Sequence, residues 1–266
     1  MGDDSDAIQQ ISFLTRSESR VQILTHLLAT GSATQRDFRE ELSSSRSTVT
    51  RALSALAERG WVERNGDRYA LTPQGRIVAD GLDALVDTVQ ATDEFATFLE
   101  WFPYAEYDVD IELLRGAEII VSTDPNPYAP SRKHAAAVRN AARFKMLLPS
   151  IDLQVAKTVE EPVVAGDLDI ELLVSPGMED TIAAGDFAET LRHQIAAGGM
   201  TVLVADEPAP FYLGLSGEGL VQIGVEDDEG FPRALVESDD EDLREWAVEV
   251  YDSIRGTARE KPAAEF

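Results

Sequence analysis

Ser45 to Gly75 reads SRSTVTRALSALAERGWVERNGDRYALTPQG. Its first half has the form of a helix. Ser44 and Ser45 carry short hydroxyls suited to capping a helix start. Val49, Leu53 and Leu56 recur at 3.6-residue spacing and define one apolar face. Gly60 supplies the residue of positive φ that ends a helix. The other face is small, hydroxylated and basic: Ser47, Thr50, Arg51 and Ser54, with Arg46 and Thr48 near the start. Such groups reach phosphates and base edges without blocking close approach. The second half is a hairpin. Val62–Arg64 and Arg68–Leu71 read as short strands around Asn65-Gly66, the dipeptide a type I′ turn asks for. Arg64 and Arg68 flank the tip. A helix followed at once by a basic hairpin is the pattern of a winged helix-turn-helix, whose helix fits the major groove while the wing meets the adjacent backbone.

An amphipathic surface helix beside an ordinary hairpin would be the plainer account, but upstream residues complete the motif. Ser19 to Leu28 forms a helix with Val21, Leu24 and Leu28 inward. Ala33 and Thr34 open a second, Gln35 to Leu42, with Phe38 and Leu42 inward and Arg36 outward, placed to clamp a DNA backbone. The Ser43–Ser45 link is the turn between helices. In Arg20–Leu24, Ser45–Leu53, Glu58–Val62 and Tyr69–Gly75, residues 10–76 resemble the winged-helix regulators of archaea and bacteria, the ArsR- and MarR-like groups. The resemblance implies duplex DNA as a partner, read by a homodimer.

Composition bounds the rest. The 266 residues suffice for two modest domains. No cysteine is present, which excludes disulfides, thiol redox sensing and cysteine-ligated metals. His26, His134 and His193 are scattered, so neither a metal centre nor a cofactor is expected. No run is long and apolar enough to span a membrane, and the acidic, polar N-terminus lacks the form of a signal peptide, so a cytoplasmic location is expected. The net charge is −26. Residues 1–80 hold 10 Arg and 11 Asp or Glu, while the remainder holds 13 basic against 38 acidic residues. Only four of the 23 basic residues are lysine. Dense carboxylates with scarce lysine resemble proteins of a molar-salt cytoplasm, as in haloarchaea, where carboxylates keep a surface hydrated.

Along the chain, residues 1–7 read as a polar tail and residues 1–75 as the winged-helix domain. One long helix is expected from Pro73 to Phe102, with Val78, Leu82, Leu85, Val89, Ala96 and Leu99 as an apolar seam. Residues 76–103 are therefore taken as a linker and dimerisation helix. Residues 104–266 alternate strand and helix patterns: Leu113–Val121 as the approach to a buried strand, strands at Phe144–Leu148, Leu168–Val174 and Met200–Ala205, a hairpin at Phe211–Val225, and a last helix from Asp239. The expected fold class is α/β overall: an α+β winged helix, a linker helix, and an α/β sensor domain with a mixed sheet covered by helices.

Gly224–Gly230, Arg233–Asp240 and Glu245–Arg255 resemble the end of archaeal sensor domains of the methanogenesis- and filament-regulator family and of the sugar-sensing TrmB-like regulators, which are themselves similar to phospholipase D. Phospholipase D chemistry needs a His-x-Lys and an Asp in each half. His134 is followed by alanines and His193 by Gln194-Ile195, so catalysis is not expected. Ligands of open α/β sheets lie beyond the strand carboxyl ends. That places candidate effector contacts at Ser122, Thr123, Asp124, Asn126, Tyr128, Ser150 and Ser175, with Arg132 and Lys133 beside them to hold a small anion or sugar hydroxyls. Three functions follow: a regulator whose second domain senses a small molecule or partner, the same reader with a ligand-free assembly domain, and a phospholipase D-like enzyme with an accessory reader.

Overall fold

The computed structural model describes residues 4–42, 44–151 and 153–266. Contacts divide the chain into two units, Met1–Gln90 and Ala91–Phe266. The first comprises α1 (Asp4–Thr15), α2 (Glu18–Thr30), β1 (Ser32–Thr34), α3 (Gln35–Glu41), α4 (Arg46–Glu58), β2 (Val62–Asn65), β3 (Arg68–Leu71) and most of α5 (Pro73–Glu94).

The start of the chain departs from the tail expected of it. Residues 4–7 already belong to α1, which is held by Phe13. The Phe13 ring packs against Trp61 with centroids 6.0 Å apart, and the Arg59 and Arg20 guanidinium carbons stand 3.3 and 3.8 Å from its centroid. A cation over an aromatic face is attracted by the ring quadrupole. In α2 the inward residues are Ile23, Leu24 and Leu27, with Val21 and Leu28 only partly covered. Helix α3 starts in a capping box: Thr34 Oγ1 accepts from Asp37 N, and Asp37 returns a carboxylate oxygen to Thr34 N at 2.8 Å. These bonds hold the Asp37 carboxyl below its ordinary range. Ala33 does not open the helix. It sits in β1, a third wing strand pairing antiparallel with β3. Ser43, in the link between α3 and α4, lies outside the described residues.

Helix α5 is packed along Ala79 and Leu82 onto this core, while Ile77, Leu85 and Val89 stay about half exposed or more. The single helix expected from Pro73 to Phe102 is two. It breaks at Phe95 (φ −93°, ψ 14°), whose ring is buried in the core of the second unit.

The second unit continues with α6 (Ala96–Trp101), α7 (Tyr104–Tyr107), β4 (Glu118–Val121), α8 (Ala129–Asn140), β5 (Arg143–Leu148), α9 (Leu153–Thr158), α10 (Glu160–Ala165), β6 (Asp169–Val174), α11 (Glu179–Ile182), α12 (Gly185–Ala196), β7 (Met200–Val204), β8 (Tyr212–Ser216), β9 (Val221–Glu226), β10 (Pro232–Ser238), α13 (Glu241–Arg255) and β11 (Arg259–Glu260). One mixed sheet runs β11-β7-β6-β5-β8-β9-β10-β4. β5, β6 and β7 are parallel, and every other pair is antiparallel. Strands β4 and β9 therefore point the same way as β5, and their carboxyl ends share one rim with the starts of β8 and β10.

Both faces are covered, which is why the central strands are largely apolar, interrupted by Lys145 in β5 and Glu171 in β6. Phe98, Phe102, Leu243, Ala247 and Tyr251 pack on the face bearing Leu147, Leu173 and Leu213. Val138, Val159, Val163 and Leu191 cover the face bearing Met146, Leu172 and Val202. Each fully buried Leu, Val or Phe contributes about 1.5–3 kcal/mol. Asp240 caps α13 by accepting from Asp242 N and Leu243 N.

Candidate functional site

Helix α4 owes its orientation to the residues on its inner side. Val49, Ala52, Leu53 and Leu56 are buried in the winged-helix core, which leaves Arg46, Ser47, Thr50, Arg51 and Ser54 exposed on the opposite side. Ser45 caps the helix by accepting from Thr48 N at 3.2 Å. Its Oγ also lies 3.0 Å from Ser47 Oγ and 2.9 Å from Thr48 Oγ1. Thr48 is half-buried in this hydroxyl cluster. Ser44 does not cap; it pairs with Ser19 Oγ across α2 at 3.1 Å. Thr50 Oγ1 donates to Arg46 O at 2.9 Å, and Arg51 Nε donates to Ser47 O at 3.3 Å. Arg46 has no side-chain partner among the described residues. The N-terminal turn of α4 thus combines amide dipoles, hydroxyls and two guanidinium groups, a combination that favours phosphate oxygens.

The wing is built differently at its tip from the type I′ turn expected of Asn65-Gly66. Asn65 pairs with Arg68, so the two turn residues are Gly66 and Asp67. Gly66 has φ +68°, while Asn65 and Asp67 keep negative φ. Positive φ at the first turn residue alone is the signature of type II′. Arg64 Nε donates to Gly66 O at 2.9 Å, stiffening the tip, and Arg68 is pinned to Ser32 Oγ and O at 2.9 and 2.6 Å. Both arginines remain exposed. Arg36 is exposed as well but is paired with Glu40 at 2.8 Å, which raises its pKa.

The second unit holds a cavity of about 430 Å³ on the α8 side of the sheet, at the rim where β5 and β9 end. Of the seven candidate effector residues, it takes in Tyr128 and Ser150. The other five lie outside its lining. Ser122 Oγ donates to Pro127 O at 2.8 Å and to Pro232 O. Ser175 is buried and accepts from Ala209 N at 2.7 Å. Thr123 bridges Asn126, which also accepts from Arg132. Lys133 is paired with Glu118 at 2.7 Å and Glu237 at 2.8 Å. The anion cradle expected at Arg132 and Lys133 is thus taken up by protein acceptors.

Sequence reasoning missed the cavity's polar groups: His134, Tyr212 and Glu226. Tyr212 Oη lies 2.7 Å from His134 Nδ1 and 3.1 Å from Gln222 Oε1, and Gln222 Nε2 donates to Glu237 at 2.7 Å. Burial lowers the His134 imidazole to about 4 and pushes Tyr212 well above the usual phenol range. Burial also raises Glu226, against the pull of Ser150 Oγ donating at 2.6 Å. The one signal available was a pair of strand glycines, 214 and 224. A Cβ at Gly214 would stand 2.0 Å from Tyr212 Oη, and one at Gly224 2.9 Å from its Cδ1. His193 lies elsewhere, on the exposed side of α12, where it meets Glu160 at 2.9 Å. Among the described residues no group of His, Asp and Glu has the arrangement of a metal site, and no helix is long and apolar enough to cross a membrane.

Two domain families match the chain. Residues 8–94 match the HVO_A0261 N-terminal domain, and residues 127–257 match the middle domain of methanogenesis regulatory protein FilR1. Among solved structures, TrmBL2, an archaeal chromatin protein, is 12% identical over 91% of this chain and 94% of its own, with a TM-score of 0.39. Nuc of Salmonella typhimurium, a phospholipase D family member, is 13% identical over 55% of this chain and 99% of its own, with a TM-score of 0.43. NucT of Helicobacter pylori is 9% identical over 55% and 98%, with a TM-score of 0.38. No curated protein matches the chain.

Proposed function

The chain joins an HVO_A0261-type N-terminal domain to a FilR1-type middle domain, and on that premise we propose that it is a transcriptional regulator that reads duplex DNA. The observation that carries this reading is the outer face of α4. Arg46, Ser47, Thr50, Arg51 and Ser54 are all exposed, and their helix is fixed from behind by Val49, Leu53 and Leu56. The α4 face would meet base edges and phosphates. Arg64 and Arg68 would meet the neighbouring backbone, and Arg36 would do so on release from Glu40.

The regulator acts as a homodimer, since winged-helix readers commonly engage two half-sites. Ile77 is 73% exposed and Leu85 50% exposed on α5, with Ile8 63% and Ile11 47% exposed on α1. Exposed aliphatic side chains of this size support burial against a second copy. The second unit senses a small molecule in its cavity. Binding there would shift the population of dimer arrangements that fit the operator. The protein works in the cytoplasm at high salt.

Gel shift on a selected operator tests the reading. Arg51→Ala should weaken binding by about 1–3 kcal/mol if the side chain reads a base. Unchanged binding would remove α4 from the interface. A phosphodiesterase assay addresses the enzyme alternative, and turnover abolished by His134→Asn would establish it.

A further inference from the structure

The cavity has a chemistry more specific than that of a generic pocket. Its walls are aliphatic and thioether: Met146, Leu148, Val159, Leu172, Met200 and Leu235. Among the described residues neither Lys nor Arg lines it. Bringing an anion into such a site would leave a desolvated charge without a counter-ion, which costs far more than burying a neutral polar group.

The polar end is set by a directed chain of hydrogen bonds. Lys133 binds the Glu237 carboxylate at 2.8 Å. That carboxylate accepts from Gln222 Nε2 at 2.7 Å, which turns Gln222 Oε1 toward Tyr212 and His134 as an acceptor. Tyr212 donates its only proton to Gln222 Oε1 at 3.1 Å. The close Tyr212 Oη to His134 Nδ1 contact of 2.7 Å then requires the proton on Nδ1, which also faces Gln222 Oε1 at 3.3 Å. In a neutral imidazole one nitrogen donates and the other accepts. Nε2 is left as an acceptor without a protein partner among the described residues. Glu226, held by Ser150, supplies a second acceptor on the same lining. Glycines 214 and 224 make room for the Tyr212 ring in the strands, where glycine weakens the sheet. The relay is therefore a built feature.

Resting on the reading of the second unit as a sensor, we propose that this cavity binds a compact, uncharged, largely apolar molecule carrying an O–H or N–H donor, such as a substituted phenol. The apolar body occupies the Met146–Leu172–Leu235 walls, and the donor meets His134 Nε2. A volume of about 430 Å³ falls at the small end of the range for ligand pockets.

Isothermal titration of the full chain in molar KCl, with 4-ethylphenol, its methyl ether and 4-ethylbenzoate, tests the proposal. The phenol should bind, the ether should bind about tenfold more weakly for want of one hydrogen bond, and the carboxylate should give no heat. Met146→Trp, which fills the cavity, should abolish phenol binding. His134→Phe, which keeps the ring and removes the acceptor, should bring the phenol down to the level of the ether. Failure of the phenol to bind, an ether as tight as the phenol, a carboxylate bound as well as either, or phenol binding unaffected by Met146→Trp would each overturn it. Sensing is judged separately, by gel shift. Phenol binding with operator affinity unchanged would uphold the ligand class and sink the sensor reading. A sugar or an anion that alters operator affinity through the cavity would do the reverse.

Discussion

Gly75, in the first turn of α5, lies so close to Trp61 that a Cβ on it would stand 1.8 Å from the Trp61 carbonyl oxygen. Thr72 Oγ1 ties the same corner together, donating to Gly60 O at 2.6 Å and accepting from Gly75 N at 2.9 Å. The end of α4, the wing and the start of α5 are thereby locked into one corner. Gly75→Ala must force them apart. Its cost is expected at about 1–3 kcal/mol or more, read as a lowered denaturant midpoint for the first unit, with Trp61 fluorescence as the probe. A variant as stable as the parent would show that this corner yields freely.

The wing tip separates two turn assignments. Gly66 alone carries positive φ, so Gly66→Ala should destabilise the first unit by about 1 kcal/mol. Asn65→Ala should lose little beyond its bond to Glu63. Equal sensitivity at both positions, in a thermal melt, would favour the Asn65-Gly66 turn instead.

Charge predicts an unusual response to salt. The proposed interface offers five exposed arginines, Arg36, Arg46, Arg51, Arg64 and Arg68, on a chain of net charge −26. Counterion release scales as about 0.9 per neutralised phosphate. With one phosphate per arginine, a plot of log affinity against log KCl should have a slope no steeper than about −4.5 per subunit. Fluorescence anisotropy across 0.3–3 M KCl would measure it, and a slope near −10 per subunit would require a more basic surface than the proposed one.

His134 links the second unit to pH. Its folded pKa is about 4, against an ordinary 6.5. The unfolded chain therefore takes up the proton first as pH falls. The stabilisation is fully present above 6.5 and is lost between 6.5 and about 4, with a size of about 3 kcal/mol. Burial sets the depression and the hydrogen bond with Gln222 works against it; Tyr212 also faces the ring, with Glu237 and Lys133 behind Gln222. Urea midpoints at pH 7 and 4.5 should converge less in the parent than in His134→Gln. Parallel behaviour of the two proteins would place the acid sensitivity elsewhere.

Helix α4 was legible because three independent signals, the Val49–Leu53–Leu56 spacing, the Ser45 cap and Gly60, all described one local segment. Likewise, β5, β6 and β7 announced themselves by the apolar stretches Met146–Leu148, Leu172–Val174 and Val202–Val204. Other elements depend on distant partners. β1 is three residues long and exists only through β3. α1 is anchored through buried Leu14 and through Phe13, which meets Trp61, Arg20 and Arg59. β10, read only as a stretch of resemblance, is a strand by virtue of β9 and β4 on either side. The cavity was least legible. Of the strand-end residues expected there, Ser150 lines it, yet Ser122 bonds Pro127 and Ser175 bonds Ala209, while His134 and Tyr212 come together from positions 78 residues apart.

The central claim is that the outer face of α4 selects a DNA sequence. It is tested most directly by selection from a random duplex library, with the parent and a Ser47→Ala, Thr50→Ala, Arg51→Ala triple variant run in parallel. All three side chains are exposed, so the variant should keep the parent's circular dichroism and melting midpoint. The parent should enrich one defined sequence, and the variant should lose that enrichment. Failure of the parent to enrich any sequence, or recovery of the same sequence by the variant, would contradict the account.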